Sequence, residues 1–284
     1  MSFGFPAPGL IMQRMATTSP PRKPAVAGQF YPDDPRKLEA AVRQLIDDGR
    51  PRLPAGFDGS KLRALIAPHA GYVYSGPIAG SAYAATRPDR FNRVVLFGPA
   101  HRVGFEGVAT VTHRAFAGPL GDMAVDHAAL EELEELPFVQ PFDPAHAPEH
   151  SLEVHLPFVQ LALGRDVTLV PLLFCRTTAP QAAQVLEPFA ADGRTLIVIS
   201  SDLSHFLSYD EAKRADRATL DAVLANRCDG LTPRDACGST AVQGLSLVAQ
   251  RHGWRPTLLD LRNSADTAGP RDAVVGYAAV VYEK

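Results

Sequence analysis

The stretch LRALIAPHAGYVYSG, residues 62–76, sets an imidazole just past an apolar run and then turns the chain. Leu62 to Ala67 is short and apolar, which predicts a buried strand, and Pro68 ends it before His69. Two other runs repeat the arrangement: RVVLFGPAH, ending in His101, and TLIVISSDLSH, carrying Asp202 and His205. In open α/β sheets the ligand crevice lies beyond the carboxyl ends of the strands. If these three strands are parallel neighbours, side chains far apart in sequence converge on one pocket. Gly71 and Gly98 are read as residues that let the backbone turn tightly there.

Outward from this stretch, short β-branched runs alternate with helical periods. VATVTH, DVTLVPLLF, PTLLDL and AVVGYAAVVY predict strands. PRKLEAAVRQLIDDG, GPIAGSAYAATR, DHAALEELEEL, SLEVHLPFVQLALG, APQAAQVLEPFAADG, YDEAKRADRATLDAVLAN and GSTAVQGLSLVAQRHG predict helices, several ending on Gly. Strands that read as continuous apolar runs are buried on both faces. The expectation is therefore an α/β fold, a single-domain three-layer α/β/α sandwich around a central mostly parallel or mixed sheet. Residues 1–22, rich in Pro, Gly and Ser and without hydrophobic period, read as a flexible N-terminal extension, leaving residues 23–284 as the domain.

Composition narrows the function classes. The chain has 284 residues, 46% of them hydrophobic, and a formal net charge of −3. No basic or acidic excess points to nucleic acid or a membrane surface. No apolar run is long enough to span a bilayer, and the start lacks the pattern of a signal peptide. Cys175, Cys228 and Cys237 are few and unpatterned, which fits a reducing cytoplasm.

Imidazole, carboxylate and thiolate are the donors a transition metal prefers. His69, His101, Asp202 and His205 supply the first two, and Cys237 sits at a predicted helix N-terminus, where the dipole favours a thiolate. In PEHSLEVHLPF, Glu149 and His150 either line the pocket or cap and hydrogen-bond, while Leu152, Leu156, Val159 and Leu163 form a buried stripe. His113, His127, His146 and His252 read as surface or structural, and Cys175 and Cys228 as small buried hydrophobes. P-loop, dinucleotide, H-E-x-x-H, clustered C-x-x-C and G-x-S-x-G signatures are absent. A thiol hydrolase built from Cys237, His205 and Asp202 would leave His69 and His101 without a role.

AVAGQFYP, APHAGYVYSG, GPAH, EHSLEVHLPF, ISSDLSH, ACGSTAV and VVGYAAVVY together resemble the Memo family, also called AmmeMemoRadiSam system protein B. The resemblance implies the fold of class III extradiol dioxygenases, non-haem iron enzymes that open catechol rings. It implies a metal site at His69, His101 and Cys237, with Asp202 and His205 as further pocket residues; in a redox enzyme His205 would be the acid/base and Asp202 would orient it or join the metal. It also implies a radical SAM enzyme as partner; the small-molecule substrate is left unidentified. Ring-cleaving dioxygenases use two histidines and a carboxylate; here Cys237 replaces the expected Glu. A thiolate widens the metal from Fe(II) to Cu or Zn. A metal-dependent oxygenase or oxidase, a metal- or peptide-binding module without turnover, and a thiol hydrolase are the three readings.

Overall fold

A computed structural model describes residues 19–284; residues 1–18, most of the expected extension, lie outside the described residues. In chain order the helices and strands are α1 (Pro35–Gly49), β1 (Leu62–Ala67), α2 (Tyr72–Tyr83), β2 (Arg93–Pro99), β3 (Gly107–Thr110), β4 (Ala115–Phe116) and β5 (Met123–Ala124). Then come α3 (His127–Leu133), β6 (Val139–Pro141), α4 (Asp143–His146), α5 (Leu156–Leu163), β7 (Thr168–Cys175) and α6 (Ala179–Ala190). The chain closes with β8 (Thr195–Ser200), β9 (His205–Leu207), α7 (Tyr209–Leu224), α8 (Ser239–His252), β10 (Arg255–Asn263) and β11 (Val274–Glu283).

Nine strands form one mixed sheet in the order β10-β11-β1-β8-β2-β7-β3-β6, with β9 paired to β11. The centre, β1-β8-β2-β7, is parallel throughout, and β11 and β3 flank it in antiparallel pairing. Every residue of β8 is buried, as a strand covered on both faces must be. One cover is α1 with α2 and α5; the other includes α6 packed on α8. The expected stripe Leu152, Leu156, Val159 and Leu163 is buried in the core.

Helix α2 begins four residues before the predicted GPIAGSAYAATR. Tertiary contacts supply the reason. Tyr72 is buried, its amide donates to the Phe30 carbonyl at 2.7 Å, and its hydroxyl to the Val154 carbonyl at 2.7 Å. These hold the first turn despite Pro77 inside the helix. Arg22, the last residue of the expected extension, is 2% exposed and ion-paired with Glu153.

The glycine expectations resolve differently. Gly71 has φ −57°, which any residue adopts, so no tight turn rests on it. Gly98 lies inside β2, and a Cβ there would come within 2.9 Å of Leu152 Cδ2. It provides clearance for the segment that crosses the sheet end rather than a turn.

Candidate metal centre

Because β8 lies between β1 and β2 and all three run parallel, their carboxyl ends open onto the same edge. His69 leaves β1, Ser200 and Asp202 leave β8, and His101 leaves β2. The segment after α4 then crosses this edge, held where Ser151 Oγ donates to the Pro99 carbonyl at 2.8 Å. It delivers His150. The side-chain donor atoms of His69, His101 and His150 all lie within 4.8 Å of one another. Ring centroids are 5.1 Å apart for His69 and His101, 5.5 Å for His69 and His150, and 4.9 Å for His101 and His150.

Glu149 sets two of these imidazoles. Its Oε1 accepts from His101 Nδ1 at 2.9 Å and from the amides of His150 and Ser151 at 3.0 Å; Oε2 accepts from the His101 amide. With Nδ1 donating, the other nitrogen of His101 is left with its lone pair. Burial alone would raise the Glu149 carboxyl, but the His101 and His150 rings and the His101 amide hold it well below the usual carboxylate range. The Nδ1 of His150 also faces this carboxylate, 3.1 Å from Glu149 Oε1. Three imidazoles with converging donor atoms are a set that could hold a transition-metal ion.

His69 is 2% exposed, and its Nδ1 lies 2.6 Å from Ser200 Oγ. Burial first, then the neighbouring imidazoles, hold its pKa well below the ordinary value, so the ring is neutral as a metal ligand requires. On its other nitrogen, Nε2 is 3.4 Å from Cys237 Sγ and 3.9 Å from Asp202 Oδ2. Asp202 ties the two together. Its Oδ1 accepts from the His69 amide at 2.8 Å, its carbonyl accepts from the Cys237 amide at 3.2 Å, and its own amide donates to Cys237 Sγ at 3.2 Å. Burial pushes the Asp202 carboxyl up, against the His69 amide and the nearby His205, His150 and His101.

The structure thus brings His69, His101 and His150 together and sets Cys237 against His69. Cys237 lies just before the first turn of α8, as expected, and burial, then the Asp202 charge, pushes its thiol up. Without a metal, the sulfur is a thiol. Its imidazole neighbour is His69, not the His205 that a thiol hydrolase would have used. His205 sits on β9, half-buried, opposite Val275 of β11.

A family model described as Memo-like protein matches residues 22–281, beginning at the Arg22 that anchors the body. The chain belongs to this Memo family. A MEMO1 family protein of Desulfurococcus amylolyticus is 32% identical to the Memo-like chain over 281 residues, covering 92% of this chain and 98% of that one. Another, from Methanosarcina acetivorans, is 34% identical over 286 residues, covering 92% and 99%. A solved structure, an uncharacterized protein JW3007 from Escherichia coli K12, aligns with a TM-score of 0.46 at 14% identity, covering 78% of this chain and 99% of that one.

Sequence reasoning left Ser200, Glu153 and His155 of the Memo-like chain unassigned. Ser200 carried a usable signal, being the last residue of a strand whose exit bears Asp202. Glu153 and His155 carried none, because their partners lie on distant elements. Among the described residues no helix is long and apolar enough to cross a membrane.

Proposed function

We propose that this Memo-family chain is a metal-dependent redox enzyme, an oxygenase or oxidase, acting on a small molecule at the β1-β8-β2 edge. The convergence of three imidazoles within 4.8 Å carries the reading. His69, His101 and His150 would hold the ion, with Cys237 beside His69 as a further donor. Imidazole with an optional thiolate suits Fe(II) or Cu, and also Zn. When bound, such a metal supplies Lewis-acid and electron-transfer chemistry at its open positions.

The protein's own groups do the rest. Glu149 fixes the ring of His101, and Asp202 fixes the backbone of His69 and Cys237. Glu149 already accepts four hydrogen bonds, so it orients a ligand instead of acting as one. His205, half-buried on β9 beside β11, would take up or release a proton at its ring nitrogen. A radical SAM enzyme as partner belongs to the same proposal and is tested by co-purification.

The experiment is metal analysis of protein purified without added metal, followed by oxygen uptake against a panel of small aromatic substrates. The reading expects near-stoichiometric metal, and turnover that His205→Ala lowers by about 10² to 10⁴-fold with metal retained. Absence of metal from the wild type, or metal without turnover across the panel, would overturn it, the second result leaving a binding module.

A further inference from the structure

Ser200 Oγ meets three polar partners. The Ser151 carbonyl lies at 2.6 Å, His69 Nδ1 at 2.6 Å and His155 Nε2 at 3.0 Å. A carbonyl oxygen can only accept, and a serine hydroxyl has one proton to give. At 2.6 Å, that proton must lie between Ser200 and Ser151; otherwise two lone pairs would face each other in a buried, solvent-free place. Both imidazoles must then donate to Ser200 Oγ.

The far side of His155 agrees. Its Nδ1 lies 3.1 Å from the hydroxyl of Tyr83, a group with a proton to donate and itself fully buried. With Tyr83 donating to Nδ1, His155 keeps its own proton on Nε2, where Ser200 accepts it. Tyr83 therefore prevents His155 from competing for the Ser200 proton. At the pocket end, the Cys237 thiol lies 3.4 Å from His69 Nε2, in position to donate to a lone pair there.

We infer that Ser200, set by Ser151, His155 and Tyr83, locks His69 in the one tautomer that leaves Nε2 unprotonated toward the pocket before any metal arrives. Ser200 and His155 are positioning residues that act through His69. A ligand with its tautomer already chosen binds without first moving a proton, and groups that orient ligating imidazoles in this way typically change metal affinity by about 10- to 100-fold. This rests on the reading of His69 as a ligand through Nε2, but the tautomer itself is a property of the metal-free protein.

The test measures both quantities separately. In metal-free, ¹⁵N-histidine-labelled protein, NMR reads which ring nitrogen of His69 carries the proton; cobalt(II) titration, followed by its absorption bands, reads affinity. The wild type should show His69 protonated on Nδ1 alone. Ser200→Ala should show a mixture of tautomers and bind cobalt(II) about 10- to 100-fold more weakly. His155→Phe should leave His69 protonated on Nδ1, because the Ser151 carbonyl still holds the Ser200 proton.

Protonation of His69 on Nε2 in the wild type, or an unchanged tautomer in Ser200→Ala, overturns the lock. If Ser200→Ala fails to fold, the wild-type tautomer decides alone: a proton on Nε2 of His69, or a mixture of the two tautomers, sinks the inference. A wild type that ignores cobalt(II) yet shows the tautomer and its loss in Ser200→Ala keeps the lock and defeats the metal reading instead.

Discussion

Glu149 and Glu153 share one short segment, are both buried, and are both surrounded by donors. Glu149 turns its oxygens to the His101 ring and to the backbone that carries His101, His150 and Ser151. Glu153 turns its oxygens to the Arg22 guanidinium, the amides of Ala25 and Val26 at 2.7 and 2.9 Å, and the Tyr31 hydroxyl at 2.6 Å. Residue type and burial are the same; the partners decide the role. One carboxylate orients pocket-facing imidazoles, and the other clamps residues 22–31 onto the body. The clamp still reaches the site, since Phe30 in that arm packs edge-on against His150 at 4.9 Å between centroids.

The sharpest way to break this contrast is Glu153→Ala. It strands the Arg22 charge, which is 2% exposed, and removing one partner of a buried pair typically costs about 3 to 5 kcal/mol. Urea unfolding should show that loss, and a cost below about 1 kcal/mol would erase the distinction. Glu149→Gln should act on the other side: stability shifts less, while affinity for an added divalent transition metal falls by about 10- to 100-fold, equivalent to about 1.4 to 2.7 kcal/mol. Calorimetric titration reads it directly.

Acid sharpens the comparison further. The Glu149 carboxyl is held below its ordinary 4.5, so its stabilisation is full above that value and is lost as pH falls toward the folded value. His146 and His155 are pushed down by burial, to about 4 and about 3, so both stay neutral in the fold while the unfolded chain protonates below 6.5. Stability should thus decline from pH 6.5 downward, by on the order of 1 kcal/mol per pH unit for each histidine. Below 4.5 the wild type should decline more steeply than Glu149→Gln; parallel curves would show that the carboxylate contributes nothing. At the bottom of the scale stands Glu39, exposed and paired with Arg43 one helical turn away at 2.8 Å. Glu39→Ala should change stability by no more than about 0.5 kcal/mol in the same urea assay.

The parts of the site readable in the sequence were those fixed by strand ends. His69 and His101 follow apolar runs that can only be buried strands, so their shared edge comes from local pattern plus the rule for parallel sheets. His150 follows no strand; it arrives on a segment whose path is set by Ser151 bonding to Pro99 across the sheet end. Local pattern left its role open for that reason. At Cys237 the helix N-terminus was legible, but the burial and the Asp202 charge that push its thiol up were not. Most strands and helices were legible from period alone, whereas the start of α2 depended on Phe30 and Val154, which sequence pattern cannot place.

The place of β8 between β1 and β2 also governs when the pocket can exist. A chain made from its N-terminus has completed both histidine-bearing strand ends, His69 and His101, long before β8 is synthesised. Those two strands do not touch each other in the finished sheet; each pairs with β8. Until residues 195–200 insert, their central edges are unpaired and the two imidazoles have no common frame. The pocket therefore requires residues 195–200: a chain truncated before them lacks the strand through which His69 and His101 share a frame.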